Sequence, residues 1–206
     1  TGRRTYAMSS PGPTFEEVRD TPAMVKWINK IKGPHLFAVD PTLHWANPNC
    51  MPQQPRKPWP AFPPGFPKAQ KPVPLVTHLH GGEVPPAYDG HPDAWFTRKS
   101  FWWPWRTKGP AYKTSLYTYP NRQTPTTLWY HDHALGITRL NVYAGLAGLY
   151  LLRNPKQHQR PHGISPQPTQ RHVYQEPFHC SGHKAPYQLP SVPYEIPLVI
   201  QDKSFL

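Results

Sequence analysis

The sequence predicts an all-β protein, a Greek-key β-sandwich or barrel carrying long Pro-rich loops. Three observations predict it. Proline fills 31 of 206 positions, about three times its average share. Each proline removes a backbone donor and clashes inside a helix, so long helices are disfavoured. Short apolar–polar alternating runs recur between turn signals, the pattern of half-buried strands. Two of those runs end in paired histidines, His78/His80 and His131/His133.

Taken in order, Thr5–Ser10 and Ala23–Ile31 read as strands, separated by Pro11-Gly12-Pro13. The run MVKWINKI within the second alternates as a half-buried strand does. Val39–Pro48 is loop-like and contains His44, a weak ligand candidate. Residues 49–74 are dense in proline and favour extended polyproline geometry, packed through Trp59, Phe62 and Phe66. Leu75–His80 is the next strand, and Gly81-Gly82 lets the backbone bend after it. Asp89-Gly90 is a turn signal. FWWPWR at 101–106 offers an aromatic surface. Tyr112–Tyr119 alternates as a strand, Asn121–Thr127 turns, and Leu128–His133 is a strand delivering the second histidine pair. Asp132, between the two histidines, faces the opposite side by strand alternation. Ala144–Leu152 reads as a buried strand. Residues 156–192 are polar and rich in Pro, Gln and His, a linker composition, and 193–206 turn apolar again.

Composition narrows the function classes. The net charge is +12 with histidine neutral, which raises a nucleic-acid reading. Lys and Arg are nevertheless scattered, with no run of four, so a solvated basic surface is the simpler account and no nucleic-acid partner is expected. No apolar stretch reaches the ~18 residues needed to span a bilayer, and no membrane span is expected. No secretory signal is visible; Arg3-Arg4 lacks the apolar segment that follows in a twin-arginine signal. The two cysteines, Cys50 and Cys180, could pair across a very long loop or stay free, and spacing does not decide between these.

The chemistry lies in the histidine pairs. Residues i and i+2 of a strand share a face roughly 6.5–7 Å apart at the backbone. Such a pair aims two imidazoles into one space without forcing both onto one ion, and imidazole suits Cu, Zn, Fe and Ni. One such pair is weak evidence, because histidines also occupy surfaces for no chemical reason. Two pairs, His78/His80 and His131/His133, each beside a β-rich or Gly-rich run, point to a shared metal cluster or half of one.

Around these pairs the sequence resembles the N-terminal cupredoxin domain of the multicopper oxidase family, most nearly its branch of bacterial spore-coat laccases and bilirubin oxidases. The segments that carry the resemblance are VTHLHGG (76–82), YDGHPDAWF (88–96), LWYHDHALGITRLNVYAGLAGLYLLR (128–153) and IPLVIQDKSF (196–205), with PGPTFEEVRDTPAMVKWINKI (11–31) and VDPTLHWANP (39–48) in support. The resemblance implies a cupredoxin domain over 1–155, a linker over 156–192 and the first strand of a following cupredoxin domain over 193–206. It also implies a short helix at Ala134–Asn141.

By the same resemblance, His78 is expected to bind a type 2 copper, and His80, His131 and His133 the paired type 3 coppers. Asp89 is expected to belong to the proton network of that trinuclear centre; the alternative is a plain turn aspartate. Four further histidines would come from another cupredoxin domain, of the same enzyme or of another chain. Dioxygen would be the co-substrate, reduced to water, and the reductant a small aromatic such as a phenol, an aromatic amine or bilirubin. The family's blue-copper motif is missing; His179-Cys180-Ser181-Gly182-His183 with Gln188 is its nearest imitation and sits in the linker. Extracellular, periplasmic or spore-coat settings follow from the resemblance alone. Two other readings stay open: a stand-alone cupredoxin that binds copper without turnover, and a structural domain whose histidines hold zinc or nothing.

Overall fold

A computed structural model describes residues 9–40, 42–48, 70–99, 107–154 and 196–203. Six strands and one helix follow in the order β1 (Phe15–Val18), β2 (Ala23–Lys26), β3 (Thr77–His80), β4 (Leu116–Tyr119), β5 (Thr127–Asp132), α1 (Thr138–Tyr143) and β6 (Ala147–Arg153). They form a four-stranded sheet in the order β1-β6-β5-β3 and a two-stranded sheet of β2 and β4. All pairings are antiparallel except β1 with β6, which run parallel. Among the described residues the two sheets make an open sandwich and do not close into a barrel.

The core between the sheets is unusually aromatic. Leu79, Leu128, Tyr130 and Tyr150 of the larger sheet pack with Tyr117 and Tyr119 of the smaller one. Phe15 sits 5.4 Å from the Tyr130 ring and 5.7 Å from that of Tyr150. Tyr130 needs space for its ring, and the chain supplies it with glycine. A Cβ at Gly148 would run into the Tyr130 hydroxyl, which itself donates to the Pro13 carbonyl at 2.7 Å. A second cluster, of Val39, Trp45, Val76, Trp95, Ile137 and Leu140, joins the 39–46 loop to α1.

Several expected boundaries move. Residues 5–8 lie outside the described residues, and Ser9-Ser10 form no strand. The first described strand instead covers Phe15–Val18, which Phe15 anchors among the core rings despite two successive glutamates. The strand expected over Ala23–Ile31 stops at Lys26. Just beyond, the buried Asn29 amide leaves the ladder and donates to the Val73 and Phe96 carbonyls. Only Leu116–Tyr119 of the Tyr112–Tyr119 run pairs. The expected helix at 134–141 forms later, over Thr138–Tyr143, because the His133 N–H is still tied to the Val76 carbonyl and the Ala134 N–H to the Asp132 carboxylate. Gly145, at φ +105°, ends the turn before β6. The loops at 49–69 and 101–106, the linker and both cysteines lie outside the described residues. Residues 196–203 are extended and unpaired among the described residues, with Lys203 donating to the Tyr143 carbonyl at 2.6 Å.

The tyrosine core predicts an alkaline limit. Burial pushes the phenols of Tyr117, Tyr130 and Tyr150 from 10 up to about 12. Tyr119 is raised as well, by burial against the opposing Trp27 hydrogen bond. A raised folded-state pKa means that the folded state prefers the neutral phenol. Its stabilisation is complete below the unfolded value near 10 and is lost as pH climbs from there towards 12. Tyrosinate absorbance from these four residues is expected only together with unfolding in that window. Ionisation of Tyr117, Tyr119, Tyr130 and Tyr150 themselves near 10 in an intact sandwich would contradict this packing.

Candidate metal centre

The antiparallel register of β3 and β5 sets the site. His78 lies directly opposite His131, and His80 opposite Trp129. Alternation then places His78, His80, Trp129 and His131 on the outer face of the sheet, while Leu79 and Tyr130 fill the core beneath. His133 follows just past the strand, where its N–H donates to the Val76 carbonyl at 2.8 Å. The four rings crowd together. His78 stacks on His133 at 4.7 Å between centroids and meets His131 at 5.6 Å, and His80 lies 5.4 Å from His131.

The ring nitrogens are sorted by their neighbours. Nδ1 of His78 lies 2.6 Å from the Asp89 carbonyl, Nδ1 of His131 2.7 Å from the Asp132 carbonyl, and Nδ1 of His133 2.8 Å from the Gly90 carbonyl. A carbonyl can only accept, so each of these Nδ1 atoms carries the hydrogen. In the neutral ring Nε2 then keeps its lone pair for a metal, the arrangement that orients histidine ligands. His80 differs: its Nδ1 faces Nε2 of His131 at 3.2 Å. One ligating nitrogen from each of His78, His80 and His131 lies within 4.8 Å of the others, the only such gathering among the described residues. Two nitrogens sharing one first-row ion at about 2.0–2.1 Å stand roughly 3–4 Å apart, so the donor set fits transition-metal binding.

The protonation state fits as well. Burial, with a smaller push from the three neighbouring imidazoles, moves His131 below the ordinary histidine value against its bond to the Asp132 carbonyl. A neutral imidazole at neutral pH is one ready to ligate.

The Asp89-Gly90 turn therefore orients the His78 and His133 rings. Gly90 sits at φ +75°, and a Cβ there would collide with the Thr77 carbonyl. Only glycine lets the turn lie against β3 and present both carbonyls to the rings. The Asp89 carboxylate lies 3.2 Å from Nδ1 of His78 and remains 44% exposed, in contact with both the His78 ring and solvent. His44 is exposed in a loop and is not part of the His78, His80 and His131 gathering.

Three contributors escaped the motif reading. Trp129 lies against His131 at 4.3 Å and His80 at 5.1 Å; its place in the alternation was the available signal. Asp132 turns inward as alternation predicts, but its carboxylate accepts from the Val76 and Ala134 N–H groups at 3.0 Å each and from Asn141 Nδ2 at 2.8 Å. It thus ties the start of one histidine pair to the end of the other. Burial pushes its carboxyl up to about 7, against those three donors. Asn141 was readable only as a polar residue inside an apolar helical run.

Fold and site together define a class: a β-sandwich whose adjacent strands present a strand-borne imidazole cluster on an outer face. No family model matches the chain. A laccase of Bacillus stratosphericus is 36% identical over 201 residues, 98% of this chain and 29% of that protein. The multicopper oxidase LPR1 homolog 1 of Oryza sativa subsp. japonica is 43% identical over 154 residues, 75% of this chain and 22% of that protein. A solved multicopper oxidase from Campylobacter jejuni aligns over 72% of this chain and 21% of its own, at 19% identity and a TM-score of 0.43. The chain belongs to the multicopper oxidase family, with a cupredoxin-like fold. It spans less than a third of the length of the curated relatives it matches. No helix among the described residues is long and apolar enough to cross a membrane.

Proposed function

We propose that this chain supplies half of a trinuclear copper site in a laccase-like oxidase that reduces dioxygen to water while oxidising small aromatic reductants. The observation that carries the reading is the β3–β5 register, which gathers four imidazoles with three Nδ1 atoms pinned to carbonyls. His78 would hold the type 2 copper, and His80, His131 and His133 the type 3 pair. His80 would ligate through Nδ1, the nitrogen it turns towards His131. Copper bound there supplies one-electron redox chemistry towards dioxygen.

The chain's own residues fix the donors before any ion arrives, which removes the entropy of assembling them. Asp89 and Gly90 hold the rings of His78 and His133, and the Asp132 carbonyl holds His131. The exposed Asp89 carboxylate, in reach of His78 Nδ1, is placed to pass protons between solvent and the centre. The remaining four histidines, and the blue copper that accepts electrons from the reductant, belong to further cupredoxin domains, of the same enzyme or of another chain.

The test is copper stoichiometry and oxygen uptake with a phenolic substrate, measured on the full-length protein that contains this chain. Bound copper with substrate-dependent oxygen consumption is the expected result. Copper without oxygen uptake would instead make it a binding module, and a protein that takes up no copper would overturn the reading altogether.

A further inference from the structure

We infer that Asn141 and His35 are positioning residues for the histidine cluster, acting through Asp132; the inference rests on the copper reading above. Neither residue touches a ligand imidazole. Asn141, on α1, is 1% exposed, and His35, from the loop after β2, is 8% exposed. Their hydrogen bonds form one directed chain. The Pro74 carbonyl and the Asp132 carboxylate both take Asn141 Nδ2, at 3.2 and 2.8 Å. Both are acceptors, so the amide orientation is fixed with Oδ1 facing the other way. That oxygen meets Nε2 of His35 at 2.9 Å. His35 Nε2 must therefore carry hydrogen, and Nδ1 accepts the Phe37 N–H at 2.9 Å.

The chain ends on the atoms that set the ligand backbone. Asp132 grips Val76 N–H, two residues before His78, and Ala134 N–H, one residue after His133. Its own carbonyl holds the His131 ring. Rotation of this carboxylate would release the backbone N–H groups that flank both histidine pairs. Asn141 is the one side-chain donor among its three partners, so it fixes that rotation, and His35 fixes Asn141. Each buried polar group in the chain is satisfied only when all of them are in place, the condition under which such networks rigidify a site.

The experiment compares the wild-type full-length protein with Asn141→Ala and His35→Phe. It measures copper per chain, the copper EPR line shape and thermal unfolding before and after copper removal. Loss of an orienting partner behind a ligand lowers metal affinity by about 10–100-fold. Both variants are expected to lose copper in a chelator titration at correspondingly lower chelator concentration and to show altered EPR parameters. The His35→Phe effect should be smaller in size and should vanish in the double variant's background, since one chain carries both. His35→Phe keeps ring volume and supplies the reading should Asn141→Ala fail to fold. Variants that melt earlier but retain wild-type copper affinity and line shape overturn the inference and leave a purely structural network. A wild-type protein that binds no copper overturns the copper reading itself, a result distinct from the first.

Discussion

Replacing His131 with alanine in the full-length protein is expected to empty the copper site and abolish oxygen reduction while leaving the sandwich folded. His131 is 6% exposed, yet it projects from the outer face and belongs to neither apolar cluster. It meets His78, His80, His133 and Trp129, so the truncation removes the ring at the centre of the gathering. The loss should exceed the ~10–100-fold in metal affinity that follows from removing a mere orienting partner. The fold keeps its β3–β5 ladder, which is backbone, and its tyrosine core. Copper counting and thermal unfolding of the metal-free protein check both halves. Full copper retention in His131→Ala would count against the ligand assignment, and collapse of the metal-free fold would count against its separation from the core.

Asp132→Asn should destabilise the domain itself, even with no metal present. Three donors converge on the carboxylate: Val76 N–H on Oδ1, and Ala134 N–H with Asn141 Nδ2 on Oδ2. Whichever way the new amide turns, its NH₂ faces a donor. A buried donor left unpaired costs ~1–3 kcal/mol, and the opposed pair strands two. A loss of about 3 kcal/mol in chemical denaturation of the metal-free protein is expected. Such a loss is large against the ~5–15 kcal/mol that holds a typical domain. A change below about 1 kcal/mol would mean that the carboxylate is not the clamp described. His131→Ala thus isolates metal binding from folding, whereas Asp132→Asn acts on the fold and, through it, on the histidine cluster.

The residues legible in the sequence were those whose role follows from period. His78, His80 and His131 reach one face because alternation puts them there, and the same rule turned Asp132 inward. Proline content and turn signals gave the all-β class, since both act locally. What stayed hidden depends on contacts between distant segments. Phe15–Val18 pairs only because Tyr150 and its neighbours lie alongside, and its glutamates masked that. The strand after Ala23 is cut short by Asn29 reaching carbonyls 44 and 67 residues away. His35 and Asn141 are 106 residues apart, and nothing in either neighbourhood announces the other. Whether the sandwich closes into a barrel is likewise a property of sheet edges, which no local pattern records.

The parallel pairing of β1 with β6 also bears on how the molecule is made. Phe15 is among the first described residues to leave the ribosome, but its partner Tyr150 emerges near the end of the domain. β1 must therefore wait for its strand partner until nearly all of the described sandwich has been synthesised, with only Trp27 near enough in sequence to cover the Phe15 ring early. Pairings this distant in sequence are slow to form, because loop-closure entropy is spent before the contact returns anything. On the copper reading proposed above, the four-histidine site cannot assemble before His133 has emerged, because β3 pairs only with β5. An exposed nascent strand in the interval is a natural client for chaperones.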